Sequence, residues 1–233
     1  MNKKIVFITS SFPFGKSEVW AINELNSFLE LGNEITIIPR TGKGKIINQD
    51  AVKFNSNLID LSFFDWNIFI FLLKTIFFKP ILFLKLLKEN VKHSNTIIDF
   101  IKGLIILPKS IFIAEILKSK KIDHIHSLQT TSTAFLAFIL SYILKVPWSY
   151  TLHTSEILNS RYKRSILSQS RSASICRTIS QRTANELSNF IGPSLSKKVV
   201  KVHLGVDVKV SRKATGFVNN SFTIVTPAEL TTR

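Results

Sequence analysis

His153 and Glu156 are the residues whose types and spacing most directly suggest chemistry. His153 stands just past a predicted strand at 148–152, and Glu156 follows three residues later, so an imidazole and a carboxylate could face one crevice. Histidine titrates near neutral pH, and both groups can act as a general acid or base. A lone histidine commonly has a structural role. Its place directly after a strand favours a functional role about as strongly.

The loop after the first predicted strand contains a glycine that can approach a ligand closely. A phosphate-binding P-loop requires an earlier glycine where this chain has Ser10, which disfavours a nucleoside triphosphatase. The dinucleotide fingerprint Gly-x-Gly-x-x-Gly is absent as well. What remains is one flexible glycine ahead of a helix N-terminus, which suits an anion or a sugar. The loop consists of Gly15, Lys16, Ser17 and Glu18.

Metal chemistry has little support in the sequence. His124 and His126 share one face of a strand, but no third ligand is spaced nearby. Asp-x-Asp and His-Glu-x-x-His do not occur, and the single Cys176 excludes a multi-cysteine zinc site. We therefore predict packing roles for the two histidines, a small buried hydrophobe at Cys176, and no metal or other cofactor.

Charge and hydropathy indicate an anionic partner and some unpaired apolar surface. The 233 residues carry 31 Lys and Arg against 15 Asp and Glu, and their mean hydropathy of +0.21 excludes disorder as the main state. Residues 1–60 hold seven basic and six acidic side chains, so nearly all of the excess lies in 61–233. Anionic lipid headgroups and phosphorylated substrates are candidate partners. The basic stretch 161–182 lacks the interleaved aromatic platforms that read bases, so nucleic acid is not expected.

Short apolar runs alternate with helical patterns along the chain, which predicts an α/β fold. This alternation is typical of a Rossmann-like parallel sheet with helices on both faces. The first helix is predicted to open at Ser17 and to close at Gly32. Ligands bind outside the carboxyl ends of such strands, and this rule also selects Ser180 and Gln181. The predicted strands lie at 5–8, 34–38, 122–125, 148–152, 173–179 and 199–203.

Residues 63–121 interrupt the alternation with an apolar helical insertion. No uncharged run approaches the ~20 residues of a membrane span, and Pro80 is predicted to divide the first part into two short helices. The second helix resembles an interfacial amphipathic helix, with a basic stripe beside apolar residues. The alternative is a core-facing insertion with solvated lysines. The stripe is Lys85, Lys88 and Lys92, and its apolar neighbours are Leu82, Phe83, Leu86 and Leu87.

Seven segments carry a resemblance to a known family. In sequence and in their order along the chain, these segments resemble bacterial family 4 retaining glycosyltransferases, and the nearest resemblance is to the exopolysaccharide and colanic-acid branch. The segments cover most of the chain except the insertion. They are SFPFGKSE at 11–18, NEL at 23–25, LGNEITI at 31–37, DHIH at 123–126, VPWSYTLHTSEI at 146–157, TIS at 178–180 and HLGVD at 203–207.

The resemblance implies the N-terminal half of a two-domain GT-B fold. An acceptor-side domain would occupy 1–216, and a linker with the first strand of a donor domain would occupy 217–233. It further implies that the loop from Gly15 to Glu18 approaches the donor phosphate and the acceptor, and that His153 lies beside the reacting sugar. With Glu156, Ser180 and Gln181 from the strand-end rule, these residues form the predicted donor and acceptor site.

The implied reaction transfers a sugar from a nucleotide-sugar donor to a lipid-linked or polysaccharide acceptor in cell-surface polysaccharide synthesis. It would retain the anomeric configuration without a metal. The chain is expected in the cytoplasm, peripherally on the inner face of the cell membrane, and as an inactive fragment when alone. At 228–230 the chain has Ala-Glu-Leu where the family often has Gly-Arg-Leu, so Glu229 replaces a donor-phosphate arginine. The alternative function is a non-catalytic, basic, peripheral membrane-binding module.

Overall fold

The secondary structure follows the predicted alternation of strands and helices. The computed structural model describes residues 2–14, 18–42, 44–46, 48–63, 65–154 and 160–205. The expectations for Gly15, Lys16, Ser17, Glu156 and 217–233 lie outside the described residues. The strands are β1 (Lys4–Thr9), β2 (Glu34–Pro39), β3 (His124–Ser127), β4 (Trp148–Leu152), β5 (Ile175–Thr178) and β6 (Val199–Lys201). The helices are α1 (Ala21–Glu30), α2 (Trp66–Phe78), α3 (Pro80–His93), α4 (Ile97–Leu117), α5 (Ser132–Leu144), α6 (Lys163–Ser172), α7 (Gln181–Ile191) and α8 (Pro193–Ser196), with 3₁₀ turns at Gln49–Asn57, Lys118–Lys120 and Ser160–Tyr162.

All six strands form one parallel sheet in the order β2-β1-β3-β4-β5-β6. The chain leaves β1 toward β2 and then returns past β1 to β3, so the direction of winding reverses between β1 and β3. In open α/β sheets, ligands bind at the carboxyl ends of the strands near this reversal. The fold therefore places the crevice beside the loops that follow β1, β3 and β4.

Two apolar clusters cover the two faces of the sheet, which confirms helices on both faces. Val6, Trp148 and Tyr150 belong to the larger cluster, together with buried side chains of α3 to α7. Phe7 and Ile37 point to the other face and pack in the smaller cluster with buried residues of α1 and the 3₁₀ turn Gln49–Asn57. Each large apolar side chain fully removed from water contributes about 1.5–3 kcal/mol to folding. Alternation along the strands thus commits each residue to one of two cores.

The first helix begins later than its sequence pattern predicts. The pattern opens a helix at Ser17, whereas α1 begins at Ala21 and Val19 is 39% exposed. Glu18 is buried and bonded to the loop that follows β1, so it cannot start the helix. The predicted end at Gly32 fits, because its φ of 78° suits glycine after a helix.

The insertion is helical as predicted, but its second helix faces the core. Pro80 separates α2 from α3, as expected. Leu86 is fully buried, and Leu82 and Phe83 pack against the larger cluster. This apolar face therefore fits the alternative of a core-facing insertion, because α4 and α6 pack beside α3. In the described part of the chain no single helix could cross a membrane, although the bent pair α2 and α3 could by length and composition.

The remaining core predictions are confirmed. Helix α5 has its first two turns buried, as its apolar sequence indicated. Cys176 is fully buried, and this burial raises the pKa of its thiol. It is therefore a small core residue rather than a reactive thiolate.

Candidate functional site

The loops at the carboxyl ends of the strands form a row of polar groups along one edge of the sheet. Ser10 follows β1, Arg40 follows β2, Leu128 follows β3, His153 follows β4 and Ser180 comes two residues after β5. Two bonds tie neighbouring loops together. The Leu128 backbone N–H donates to the Ile8 carbonyl at 2.9 Å, and the Thr41 N–H donates to the Ser10 carbonyl at 3.0 Å. These hydrogen bonds fix the row of polar groups relative to the sheet.

Glu18 holds the loop after β1 in place. Its carboxylate accepts hydrogen bonds from the backbone N–H groups of Ser10 at 2.9 Å, Ser11 at 2.8 Å and Phe12 at 2.9 Å. The Thr9 hydroxyl adds a bond to the Phe12 carbonyl at 2.7 Å. Three N–H groups in sequence make a cradle for an anion, and here the protein's own carboxylate fills it. In this structure the Glu18 carboxylate positions the loop.

His153 lies half-buried at the centre of the row. Its Nε2 is 2.8 Å from the Leu128 carbonyl oxygen, which can only accept, so Nε2 carries a proton and donates it. The Trp20 ring packs against the imidazole with 4.5 Å between centroids. In the neutral ring this tautomer leaves the lone pair on Nδ1. His153 is thus oriented by a strand end and an aromatic neighbour, which suits a group that must bind a ligand with fixed geometry.

Ser180 and Gln181 mark the start of α7 at the same edge. The Ser180 Oγ accepts from the Thr183 backbone N–H at 3.1 Å and so caps α7. The side chain of Gln181 is exposed and donates to Asn185 at 2.9 Å. Ser180 therefore caps α7, and the N-terminal end of α7 lies at the same edge of the sheet as the row.

Arg40 is a residue of this row that the sequence reasoning missed. Its Nη2 donates to the Ser10 hydroxyl at 3.3 Å, and burial lowers the pKa of its guanidinium while the Glu18 charge opposes that shift. The rule that selects residues after strands would have found it, since it directly follows β2. The arrangement offers a cation beside the loop after β1.

Lys109 supports the end of β2 from beneath. Its Nζ donates to the carbonyls of Pro39 at 2.9 Å and Arg40 at 3.1 Å, and it lies 4.8 Å from the centre of the Phe63 ring. Its side chain is almost fully buried, and burial lowers its pKa to about 8. No sequence signal could identify it, because it lies within the apolar helix α4.

His124 and His126 share one face of β3, as predicted, and both contact Ser149. The distances to the Ser149 Oγ are 2.7 Å from His124 Nε2 and 2.7 Å from His126 Nδ1, and His126 Nε2 lies 3.0 Å from the Thr151 Oγ1. The two histidines line an open groove of about 970 Å³ between α1 and the strands β5 and β6. His153 does not line this groove. Within the described ranges no three His, Cys, Asp or Glu side chains converge as metal ligands.

Acid is expected to destabilise the fold through His126. Burial, reinforced by the nearby charges of Arg177, His124 and His153, lowers the His126 pKa to about 3. A histidine in the unfolded chain has a pKa near 6.5, so on acidification the unfolded state binds this proton before the folded state does. The contribution of His126 to stability is therefore complete above pH 6.5 and falls as the pH drops toward 3. We expect a loss of about 2 kcal/mol from His126 between pH 7.5 and pH 5.

Chemical unfolding at the two pH values measures this loss. His126→Gln should unfold more easily at pH 7.5 but lose less stability on acidification. His203→Gln, a change at an exposed position, is the matched control and should keep the wild-type loss. Equal acid losses in wild type and His126→Gln would contradict the assignment.

Comparisons with known proteins identify the same fold in solved structures. No protein-family model and no curated protein matches the chain. The Anabaena protein HepE in complex with UDP-glucose is 14% identical and aligns with 88% of this chain at a TM-score of 0.53. The complex of HepE with UDP and glucose is 12% identical over 88% of the chain, at a TM-score of 0.54. A glycosyltransferase from Rickettsia africae is 14% identical over 88% of the chain, at a TM-score of 0.49.

The two likenesses to HepE show the fold. The chain has the Rossmann-like α/β sheet that forms one half of GT-B glycosyltransferases. It spans less than half of the matched proteins, since the alignments cover 44% and 45% of the two HepE chains.

Proposed function

We propose that this chain is the acceptor-side half of a retaining, family 4-like glycosyltransferase that takes its sugar from a nucleotide-sugar donor. The observation that carries the proposal is the fold shared with HepE, whose structure contains UDP-glucose, over 88% of the chain. The row of polar groups around His153 lies at the sheet edge where such folds bind ligands. We propose that a donor-binding domain, on the same polypeptide or on a partner chain, completes the enzyme.

His153 would act on the reacting sugar. Its Nε2–H is committed to the Leu128 carbonyl, so Nδ1 is the atom available to a ligand. From Nδ1 it would bind a sugar hydroxyl near the anomeric centre and hold the donor in the reactive orientation. Positioning of this kind and stabilisation of the departing phosphate supply much of the rate enhancement in transfer reactions. Gly15, Lys16, Ser17, Glu156, Ser180 and Gln181 stay the proposed donor and acceptor contacts.

Arg40 is suited to charge stabilisation on the β1 side of the crevice. It lies beside the loop that follows β1, where its Nη2 donates to the Ser10 hydroxyl. A guanidinium there would favour an acceptor or a leaving group that carries negative charge. This supports a mechanism in which phosphate charge is balanced by protein groups without a metal.

The acceptor is proposed to be a lipid-linked glycan of a cell-surface polysaccharide, reached from the cytoplasmic face of the membrane. The resemblance to the exopolysaccharide branch supports the glycan. The exposed apolar helices α2 and α4 support the membrane location, because water-facing side chains of this size are unusual in such number.

A second candidate function is a non-catalytic, basic module that binds membranes. The same exposed helices favour it. The two candidates differ in one result: the module would not turn over any nucleotide sugar, even when a donor domain is supplied.

Residues 1–233 alone are expected to transfer no sugar, because half of the proposed interdomain crevice is missing. The assay compares this chain with the complete enzyme, using nucleotide-sugar donors and membranes as a source of acceptor. The complete enzyme should release nucleoside diphosphate, and the chain alone should match the buffer blank. Transfer by the isolated chain would overturn the two-domain proposal.

A further inference from the structure

The corner between α2 and α3 exposes large apolar side chains that have no partner within the described part of the chain. The two helices meet at 110°, with the break at Lys79. Phe77 is 78% exposed, Phe78 is 81% exposed and Ile81 is 69% exposed. A corner that carries two phenyl rings and an isoleucine in water is a surface built to be covered.

The apolar surface continues from the corner along the neighbouring helices. Trp66, Phe69 and Leu73 are exposed on α2, and Leu84 is exposed on α3. Helix α4, which packs against both, exposes a further run of isoleucines. That run is Ile97, Ile98, Ile101 and Ile105.

Positive charge surrounds the corner. Lys74, Lys79, Lys85 and Lys88 are exposed, and none of them forms an ion pair with a residue that the structure describes. The only acidic residue in α2 and α3 is Glu89, and it pairs with Lys92. The basic stripe expected at Lys85, Lys88 and Lys92 is thus exposed, but Lys92 is already paired.

We propose that this corner docks on an anionic phospholipid surface. Phe77, Phe78 and Ile81 would enter the outer part of the leaflet, and Lys79 and Lys85 would contact the headgroup phosphates. A combination of apolar insertion and lysines is what binds proteins to anionic interfaces. Neither helix alone is long enough to span a bilayer and the pair is bent by 110°, so the proposed docking places the corner in the interface.

Docking on the cytoplasmic leaflet in particular rests on the proposed function. The docking itself rests on the exposed corner and its charges. A protein partner or a second copy of the chain would also cover apolar side chains, but would not require anionic lipid. The lysines without acidic partners therefore favour the lipid.

Vesicle flotation with the 233-residue chain tests the proposal. Vesicles contain phosphatidylcholine alone or phosphatidylcholine mixed with phosphatidylglycerol. The chain should float with the anionic vesicles, bind them at least about tenfold more tightly than neutral ones, and dissociate as salt is raised. Flotation needs no donor sugar, so its failure and a failure of sugar transfer are separate results.

Matched variants identify the corner as the docking surface. The double variant Phe77→Ser with Phe78→Ser should weaken binding about tenfold or more, and Lys79→Gln with Lys85→Gln should remove most of the preference for anionic lipid. Leu31→Ser, at a residue 76% exposed after α1, and Lys120→Gln with Lys121→Gln are the controls and should bind like wild type. No wild-type binding, equal binding by the corner variants, or a chain that dimerises through the corner would overturn the proposal.

Discussion

Replacing His153 with alanine in the complete enzyme is expected to lower kcat by about two to four orders of magnitude. The reason is geometric: the Leu128 carbonyl and the Trp20 ring fix the imidazole at the centre of the crevice, with Nδ1 available to the sugar. Alanine removes the ligand contact and leaves the strand end intact. Steady-state release of nucleoside diphosphate, at saturating donor and acceptor, measures the change.

His124→Ala is the matched control for this loss. His124 is a half-buried histidine of the same sheet, at the amino end of β3, where it contacts Ser149. It should cost some stability and leave kcat within a few-fold of wild type. His153→Ala loses one hydrogen bond, about 1 kcal/mol, so its melting temperature should fall only slightly. Near-normal turnover by His153→Ala would refute its catalytic role.

Glu18→Ala is expected to have the largest effect on stability, lowering the free energy of unfolding by about 3 kcal/mol or more. The carboxylate satisfies three backbone N–H groups, and alanine leaves all three without an acceptor. For a chain of this size the loss corresponds to a fall of roughly 6–12 °C in melting temperature. Thermal unfolding followed by circular dichroism measures it.

Glu34→Ala provides the comparison. Glu34 is an exposed glutamate whose ion pair with Lys4 lies at the surface, so its removal should change stability by less than about 1 kcal/mol. Glu18→Gln should fall between the two, because the amide keeps one acceptor oxygen. If Glu18→Ala and Glu34→Ala had the same melting temperature, the Glu18 carboxylate would not be what holds the loop.

The sheet could be predicted because its strands carry a strong local signal. Parallel strands buried on both faces appear as short β-rich apolar runs, and all six were found within a few residues of their ends. Ser180 was selected by the rule on strand ends, and a polar residue between a strand and a helix is also the usual cap. Neither inference needs contacts between distant parts of the chain.

The position of Glu18 could not be predicted, because its role depends on three backbone N–H groups that only the folded loop brings together. Its side chain fits the helical pattern of α1, and nothing local shows that it turns away. The buried Lys109 is the same case, since its acceptors are carbonyls about 70 residues earlier in the chain.

The sequence could not decide between the two alternatives for α3 for a different reason. The helix has apolar residues on two sides, with Leu82, Phe83 and Leu86 on one and Ile81 and Leu84 on the other. Periodicity identifies an apolar stripe but does not say which neighbour covers it. Packing by α4 and α6 decided that the first set faces inward.

The most direct test of the central claim is whether the complete enzyme moves a labelled sugar from a nucleotide donor to a lipid-extractable acceptor. The assay uses a panel of nucleotide sugars, membranes from the source cell, and the His153→Ala variant as its control. At least one donor should label the lipid fraction and release an equal amount of nucleoside diphosphate, and His153→Ala should lower the rate of both by about a hundredfold or more. If the folded wild-type enzyme neither labelled lipid nor released nucleoside diphosphate from any donor, the glycosyltransferase account would be contradicted.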